Sequence, residues 1–247
     1  MGTVSRAADP GGPTTAGLLD VYDRLVAAYG PQRWWPESWP GREDYICAGA
    51  ILCQNTNWSN AARALERLAD VGLTRIEDLA AVPAPELAEL VRPAGYFRQK
   101  ARKLEQFARL CLDHGSLADL LALPTPQLRQ ALLSCWGIGP ETADAIALFA
   151  ARRATFVVDT YAVRIWSRLG LIGPNPDRGR LREKVLAAIT PSAELAGEYH
   201  ALLIQHGKNF CRKRPLCGDC PLREGCAYAA TNPGRPSLGR RRDGWTG

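Results

Sequence analysis

The side chains that could do chemistry in this chain fall into three short stretches. Cys211, Cys217, Cys220 and Cys226 follow the spacing C-x5-C-x2-C-x5-C, with Arg212, Lys213 and Arg214 inside the first loop. Four thiols so close together in a chain without secretory features make a metal site rather than a disulfide framework. Sulfur ligation suits tetrahedral zinc or an iron–sulfur cluster, and spacing alone leaves both open, with zinc slightly favoured because its sites are common. Upstream, Asp159 stands in Val157-Val158-Asp159-Thr160-Tyr161 at the start of a helical pattern. An aspartate there is ordinarily an N-cap. The helix N-terminus also keeps a carboxylate ionised, so one residue can serve as cap and as a stabiliser of developing positive charge. Twenty residues before Asp159, Gly137-Ile138-Gly139 hinges two helical halves. Gly-x-Gly is most often a plain turn. Here its glycines reach backbone angles closed to other residues, Ile138 anchors it in the core, and the next helix offers N–H groups that can hold a phosphate without reading sequence.

These residues need a scaffold, and the apolar periodicity supplies a helical one. Leu18, Val21, Tyr22 and Leu25 recur at helical spacing up to Gly30-Pro31. Helical patterns follow over 43–54, 58–70, 84–92, 97–113, 125–135, 141–151, 161–169, 179–189 and 193–209. No alternating strand pattern of useful length appears, and Phe156-Val157-Val158 reads as a buried connector. Cys47, Cys53, Cys111 and Cys135 lie in apolar helical contexts as small reduced core residues. The 247 residues, 46% hydrophobic, support one large or two smaller domains. No apolar run is long enough for a bilayer and the first 16 residues lack a signal-peptide pattern, so a cytoplasmic protein without a membrane partner is expected. A net charge of +6 is compatible with a polyanionic partner and shifts the odds only slightly. Arg98, Lys100, Arg102 and Lys103 read as a basic helix face, ordinarily just solvated.

Taken together, the Gly-Ile-Gly hairpin and the Val-Asp-Thr aspartate resemble the helix-hairpin-helix base-excision DNA glycosylases. That resemblance implies an all-α, bilobal fold: a helical barrel over 41–153 carrying the hairpin, and an iron–sulfur lobe from 16–40 plus 154–230. The polar, Gly/Pro-rich composition of residues 1–15 and of a basic tail over 231–247 marks both ends as disordered. It makes Asp159 the catalytic carboxylate that assists departure of a base from a flipped nucleotide, either by stabilising the cationic sugar or by positioning water. It also turns the metal preference toward a 4Fe-4S cluster on Cys211, Cys217, Cys220 and Cys226, as in endonuclease III. The family spacing there is C-x6-C-x2-C-x5-C. The loop here is one residue shorter, which bears on its DNA contacts more than on ligation.

Within the family, enzymes that also cleave the strand carry a lysine after Gly-x-Gly-x. This chain has Glu141, which cannot form a Schiff base, and a monofunctional enzyme is expected. Trp34-Trp35-Pro36, the run Ile51 to Trp58, the run Val91 to Ala101 and the hairpin with its following helix are similar to the 3-methyladenine DNA glycosylase III and methylpurine glycosylase branch. The similarity spans about residues 20–228. It places Trp34, Trp35, Pro36, Trp58 and Lys208 at the base pocket, Gln54 as a wedge in the duplex, and Gly137, Ile138, Gly139, Glu141 and Thr142 at the DNA. Indole faces suit the electron-poor, positively charged alkylated purines. The expected partner is double-stranded DNA with a damaged base, acted on by a monomer that leaves an abasic site. Two competing readings are a glycosylase for uracil, mismatched thymine or oxidised pyrimidines, and a non-catalytic iron–sulfur DNA-binding protein. Packing between helices is the plain alternative for Trp34 and Trp35, capping or bridging for Gln54, and a solvated surface for Lys208.

Overall fold

The computed structural model describes residues 13–34, 41–189 and 192–232, and among them every regular element is helical. The helices are α1 (Thr15–Tyr29), α2 (Arg42–Leu52), α3 (Trp58–Asp70), α4 (Ala84–Leu90), α5 (Phe97–Asp113), α6 (Leu117–Ala122), α7 (Thr125–Ser134), α8 (Pro140–Ala145), α9 (Thr160–Leu169), α10 (Arg178–Ile189), α11 (Ala193–Asn209) and α12 (Ala227–Thr231). Short 3-10 turns cover Glu77–Ala80 and Arg92–Ala94, and α8 runs on into a π-turn over Ile146–Ala150. No helix among the described residues is long and apolar enough to cross a membrane. The chain divides into two compact units: one ends at Trp34 and resumes at Phe156, the other holds the residues between.

In the central unit α2, α4 and α6 pack against α5, whose buried stripe is Lys100, Ala101, Leu104, Phe107, Ala108 and Cys111. Spacings of three, four and seven put these residues on one helical face. Lys100 therefore does not belong to the basic surface expected from the sequence. It is 2% exposed and donates to the carbonyls of Leu52, at 2.7 Å, and Ala94, at 2.6 Å. Burial lowers its ammonium to about 8. Arg98 and Arg102 stay exposed and Lys103 is half-buried. Cys47, Cys111 and Cys135 fill the core of this unit, with Cys53 at its edge.

The split unit joins α1 to α9, α10 and α11. Leu18, Val21 and Leu25 of α1 are buried, and Thr14 caps the helix by accepting from the Gly17 N–H at 3.1 Å. Phe156, Trp166 and Tyr199 make a buried aromatic cluster with centroids 5.6–6.0 Å apart. The Trp166 indole donates to the Tyr199 oxygen at 3.2 Å, and the Tyr199 hydroxyl donates to the Leu18 carbonyl at 2.9 Å. Every polar atom in this cluster thus has a partner, which makes its burial affordable. The connector Phe156-Val157-Val158 is buried and without regular structure, and it delivers the chain directly to Asp159.

Candidate functional site

Asp159 is the N-cap of α9, with φ −92° and ψ −176°. Its Oδ1 accepts from the Ala162 N–H at 2.8 Å, and the Tyr161 N–H also favours its charge. The side chain is buried, and burial pushes its pKa up to about 6 against the two cap N–H groups and the positive charges of Arg178 and Arg164. The sequence suggested that the helix terminus would dominate; desolvation wins, because a carboxylate at this depth has lost most of its water. At neutral pH the group is still mainly ionised, as a poorly solvated anion. Tyr161 packs its ring on Gly207, where a Cβ would lie 2.1 Å from Cδ1. A glycine is therefore required in His206-Gly207-Lys208. Lys208 itself is exposed in the last turn of α11, and His206 is buried.

The hairpin lies in the other unit. Gly137 has φ 87°, and a Cβ on it would sit 2.5 Å from the Lys103 Cγ, so glycine is required twice over. Gly139 has φ −92° and room for a Cβ, so only one of the two glycines needs special angles. Ile138 is 5% exposed in the core. Arg129 of α7 donates to the buried Asp144 of α8 at 2.8 Å and fixes the two helices across the turn. Glu141 is exposed on the first turn of α8.

Gln54 follows α2 in a turn where Asn55 is left-handed (φ 55°) and Asn57 caps α3 by accepting from the Asn60 N–H at 2.9 Å. Its amide nitrogen donates to the Gly137 carbonyl at 3.1 Å and to the Thr142 hydroxyl at 2.9 Å, and its oxygen accepts from the Lys103 ammonium. The structure thus brings Gln54, Gly137 and Thr142 together and adds Lys103, which the sequence offered only as one charge in a basic run. Trp58 opens α3, tilts edge-on to Tyr45 at 6.0 Å and lies close enough that a Cβ on Gly49 would be 3.0 Å from its ring. Trp34 meets His200 of α11 edge-on at 6.0 Å. Trp35 and Pro36 lie outside the described residues.

Cys211, Cys217, Cys220 and Cys226 all line one cavity, walled also by Ile165, Leu169, Phe210 and Leu222. None of them is in a disulfide. Among the described residues no three metal-ligating side chains converge as one metal ion requires. Four thiolates suit either a tetrahedral zinc or an iron–sulfur cluster. Arginines hold the surrounding chain by its carbonyls: Arg164 at Cys211, Arg168 at Arg212 and Lys213, Arg24 at Pro221 and Glu224, Arg223 at Cys217 and Gly218. Arg168 Nη1 also donates to the Cys211 sulfur at 3.3 Å. Burial, and secondarily Arg164, lowers His206 to about 4 and keeps its ring neutral.

Residues 48–191, which contain the hairpin and Asp159, match the HhH-GPD superfamily of base excision DNA repair proteins. The chain belongs to that superfamily. This base-excision glycosylase is 38% identical over 212 residues to a protein of Methanocaldococcus jannaschii provisionally described as a DNA repair glycosylase, covering 85% of this chain and 95% of the relative. It is 31% identical over 185 residues to endonuclease III of Sulfolobus acidocaldarius, covering 74% of this chain and 80% of the relative. Its fold is shared with the H. pylori 3-methyladenine DNA glycosylase MagIII bound to 1,N6-ethenoadenine (TM-score 0.67, 24% identity, 79% of this chain and 97% of that one). It is shared too with a non-covalent endonuclease III–DNA complex (TM-score 0.73, 21% identity, 89% and 98%). The cysteine segment lies beyond the matched family region, so the glycosylase assignment and the metal assignment rest on separate observations.

Proposed function

We propose that this glycosylase is monofunctional, acts as a monomer on double-stranded DNA, and hydrolyses the N-glycosidic bond of a flipped alkylated purine such as 3-methyladenine, leaving an abasic site. The observation that carries the reading is Asp159: a buried carboxylate, ionised at neutral pH and held by the first-turn N–H groups of α9. A carboxylate with so little water of its own interacts strongly with a cation placed against it. It can stabilise the oxocarbenium-like sugar as the base leaves, or orient the attacking water. Alkylated purines carry positive charge and leave easily, so little acid catalysis is asked of the protein. Trp34 and Trp58, with Trp35 and Pro36, are the proposed aromatic surfaces for such a base, and Lys208 is a proposed pocket residue. Gln54 is the proposed wedge. Its side chain is tied to Gly137, Thr142 and Lys103, so entry into a duplex exchanges three internal contacts for contacts with DNA. The Gly137-Ile138-Gly139 turn, with Glu141 and Thr142 behind it, is the proposed phosphate contact. Support for the alkylpurine choice comes from the H. pylori neighbour, a 3-methyladenine DNA glycosylase bound to an etheno-adduct of adenine.

Glu141 in place of a lysine supports the absence of strand cleavage. The similarity to endonuclease III of S. acidocaldarius favours a second reading, an oxidised, uracil or mismatched-thymine substrate removed with the same hairpin and aspartate. We further propose that Cys211, Cys217, Cys220 and Cys226 hold a 4Fe-4S cluster, a reading supported by the four thiols lining one cavity. Bound there, it supplies structural cross-linking of the C-terminal segment, since four protein thiolates saturate its irons. Duplexes bearing one lesion each, analysed before and after alkali, test the reading. Breaks only after alkali, chiefly at alkylated purines, are expected. Breaks without alkali contradict the monofunctional reading, release chiefly of pyrimidines contradicts the substrate, and no release from any lesion favours a non-catalytic binder.

A further inference from the structure

One polar wall of the four-cysteine cavity is unexplained by the ligands themselves. His206, 1% exposed in the last turn of α11, has Nε2 at 3.7 Å from the Cys220 sulfur. Its Nδ1 lies 2.9 Å from the Tyr29 hydroxyl at the end of α1, and Phe210 stacks on the ring at 6.1 Å and 21°. A neutral imidazole has one N–H and one lone pair, and its neighbours decide which nitrogen carries which. A ligating thiolate can only accept. With Cys220 ligated, Nε2 must carry the proton and Nδ1 must accept, and the Tyr29 hydroxyl is placed to donate there. The three groups then form one directed chain, Tyr29 O–H to Nδ1 and Nε2–H to sulfur.

We propose that Tyr29 and His206 are positioning residues that direct a hydrogen bond onto the Cys220 thiolate and so raise the reduction potential of the cluster held by the four cysteines. The proposal rests on the cluster reading above. An N–H aimed at a thiolate draws charge from the sulfur and favours the more electron-rich state, and it does so strongly among apolar walls such as Ile165, Leu169 and Leu222. Arg168 gives Cys211 a comparable bond, from a fixed charge rather than a relay. Tyr29 and Cys220 are remote in sequence, and the His206 ring links them, whereas Arg24 of the same helix bonds only carbonyls of the segment and no ligand sulfur.

The test measures iron and sulfide content, and the reduction potential by protein voltammetry, for the full chain and for its Tyr29→Phe and His206→Leu variants. Wild type should contain the iron and sulfide of one cluster per chain. His206→Leu should keep them while its reduction equilibrium falls about tenfold, which is about 59 mV for one electron. Tyr29→Phe should shift it in the same direction by less, and it decides the matter if His206→Leu does not fold. Variants that keep their iron at the wild-type potential overturn the relay and leave the cluster standing. A wild-type protein that holds zinc, or no iron and sulfide after reconstitution, overturns both.

Discussion

Helices α8 and α9 begin from almost the same backbone, φ −92° and ψ 176° at Gly139 against φ −92° and ψ −176° at Asp159, and they treat their first N–H groups in opposite ways. α8 has no side-chain cap, begins with Pro140 and stands beside an exposed turn. α9 carries its own anion, and that anion is buried. One helix start has no side-chain cap of its own. The other holds a negative group inside, where it costs stability until something positive arrives. The contrast teaches that a helix terminus has no fixed electrostatic role: a single cap residue and its burial decide whether the first N–H groups stay uncapped or hold a buried charge.

The largest break in this contrast is Asp159→Asn. Base release should fall on the order of 10²–10³-fold, the usual loss for one electrostatic contact made to a transition state. Stability should rise instead, because asparagine still caps the helix but buries no charge. The shift from 3.8 to about 6 corresponds to about 3 kcal/mol at pH 7.5, read as a higher urea midpoint. The sign of the pH dependence follows from the same values. A folded pKa of about 6 above an unfolded 3.8 means that the native state takes up the proton first. Wild type should therefore gain stability as pH falls from about 6 toward 4 and lack that gain above 6, while the asparagine variant loses this component. Activity should run the other way and decline below about pH 6.

At the open helix, two glycine substitutions sharpen the contrast. Gly137→Ala places a side chain at φ 87° against the Lys103 stem and should cost about 1–3 kcal/mol, with weaker DNA binding. Gly139→Ala meets nothing and should cost less than about 1 kcal/mol. If a phosphate sits on that turn, its effect on DNA affinity should nevertheless be measurable. The smallest effect is expected from Arg102→Ala, whose guanidinium lies 4.2 Å from the centre of the partly exposed Trp136 ring beside the hairpin. It should lower the salt dependence of DNA binding by about one phosphate contact and leave lesion preference unchanged.

Local features were readable without the structure. The helical pattern, the hairpin and the capping aspartate each lie within a few residues, and their signals are sterics and capping chemistry. Two kinds of feature were not. Lys100 looked like surface charge because its composition was counted without its phase: four residues before Leu104 and seven before Phe107, it must point inward. The partners of Gln54 lie 49, 83 and 88 residues away, and the Tyr29 partner of His206 lies 177 away, and no local pattern encodes such pairings. The strength of burial at Asp159 belongs to the same class. A cap motif announces N–H donors, but not the depth at which the fold buries them.

The most direct test of the central claim is single-turnover release of 3-methyladenine from a defined duplex by wild type and Asp159→Asn at pH 7.5, with urea unfolding of both proteins alongside. The expected result is release reduced by two to three orders of magnitude in a variant that unfolds at higher urea. Equal release by the two proteins would contradict the assignment of Asp159 as the catalytic carboxylate, and a less stable variant would contradict the claim that its charge is buried at a cost.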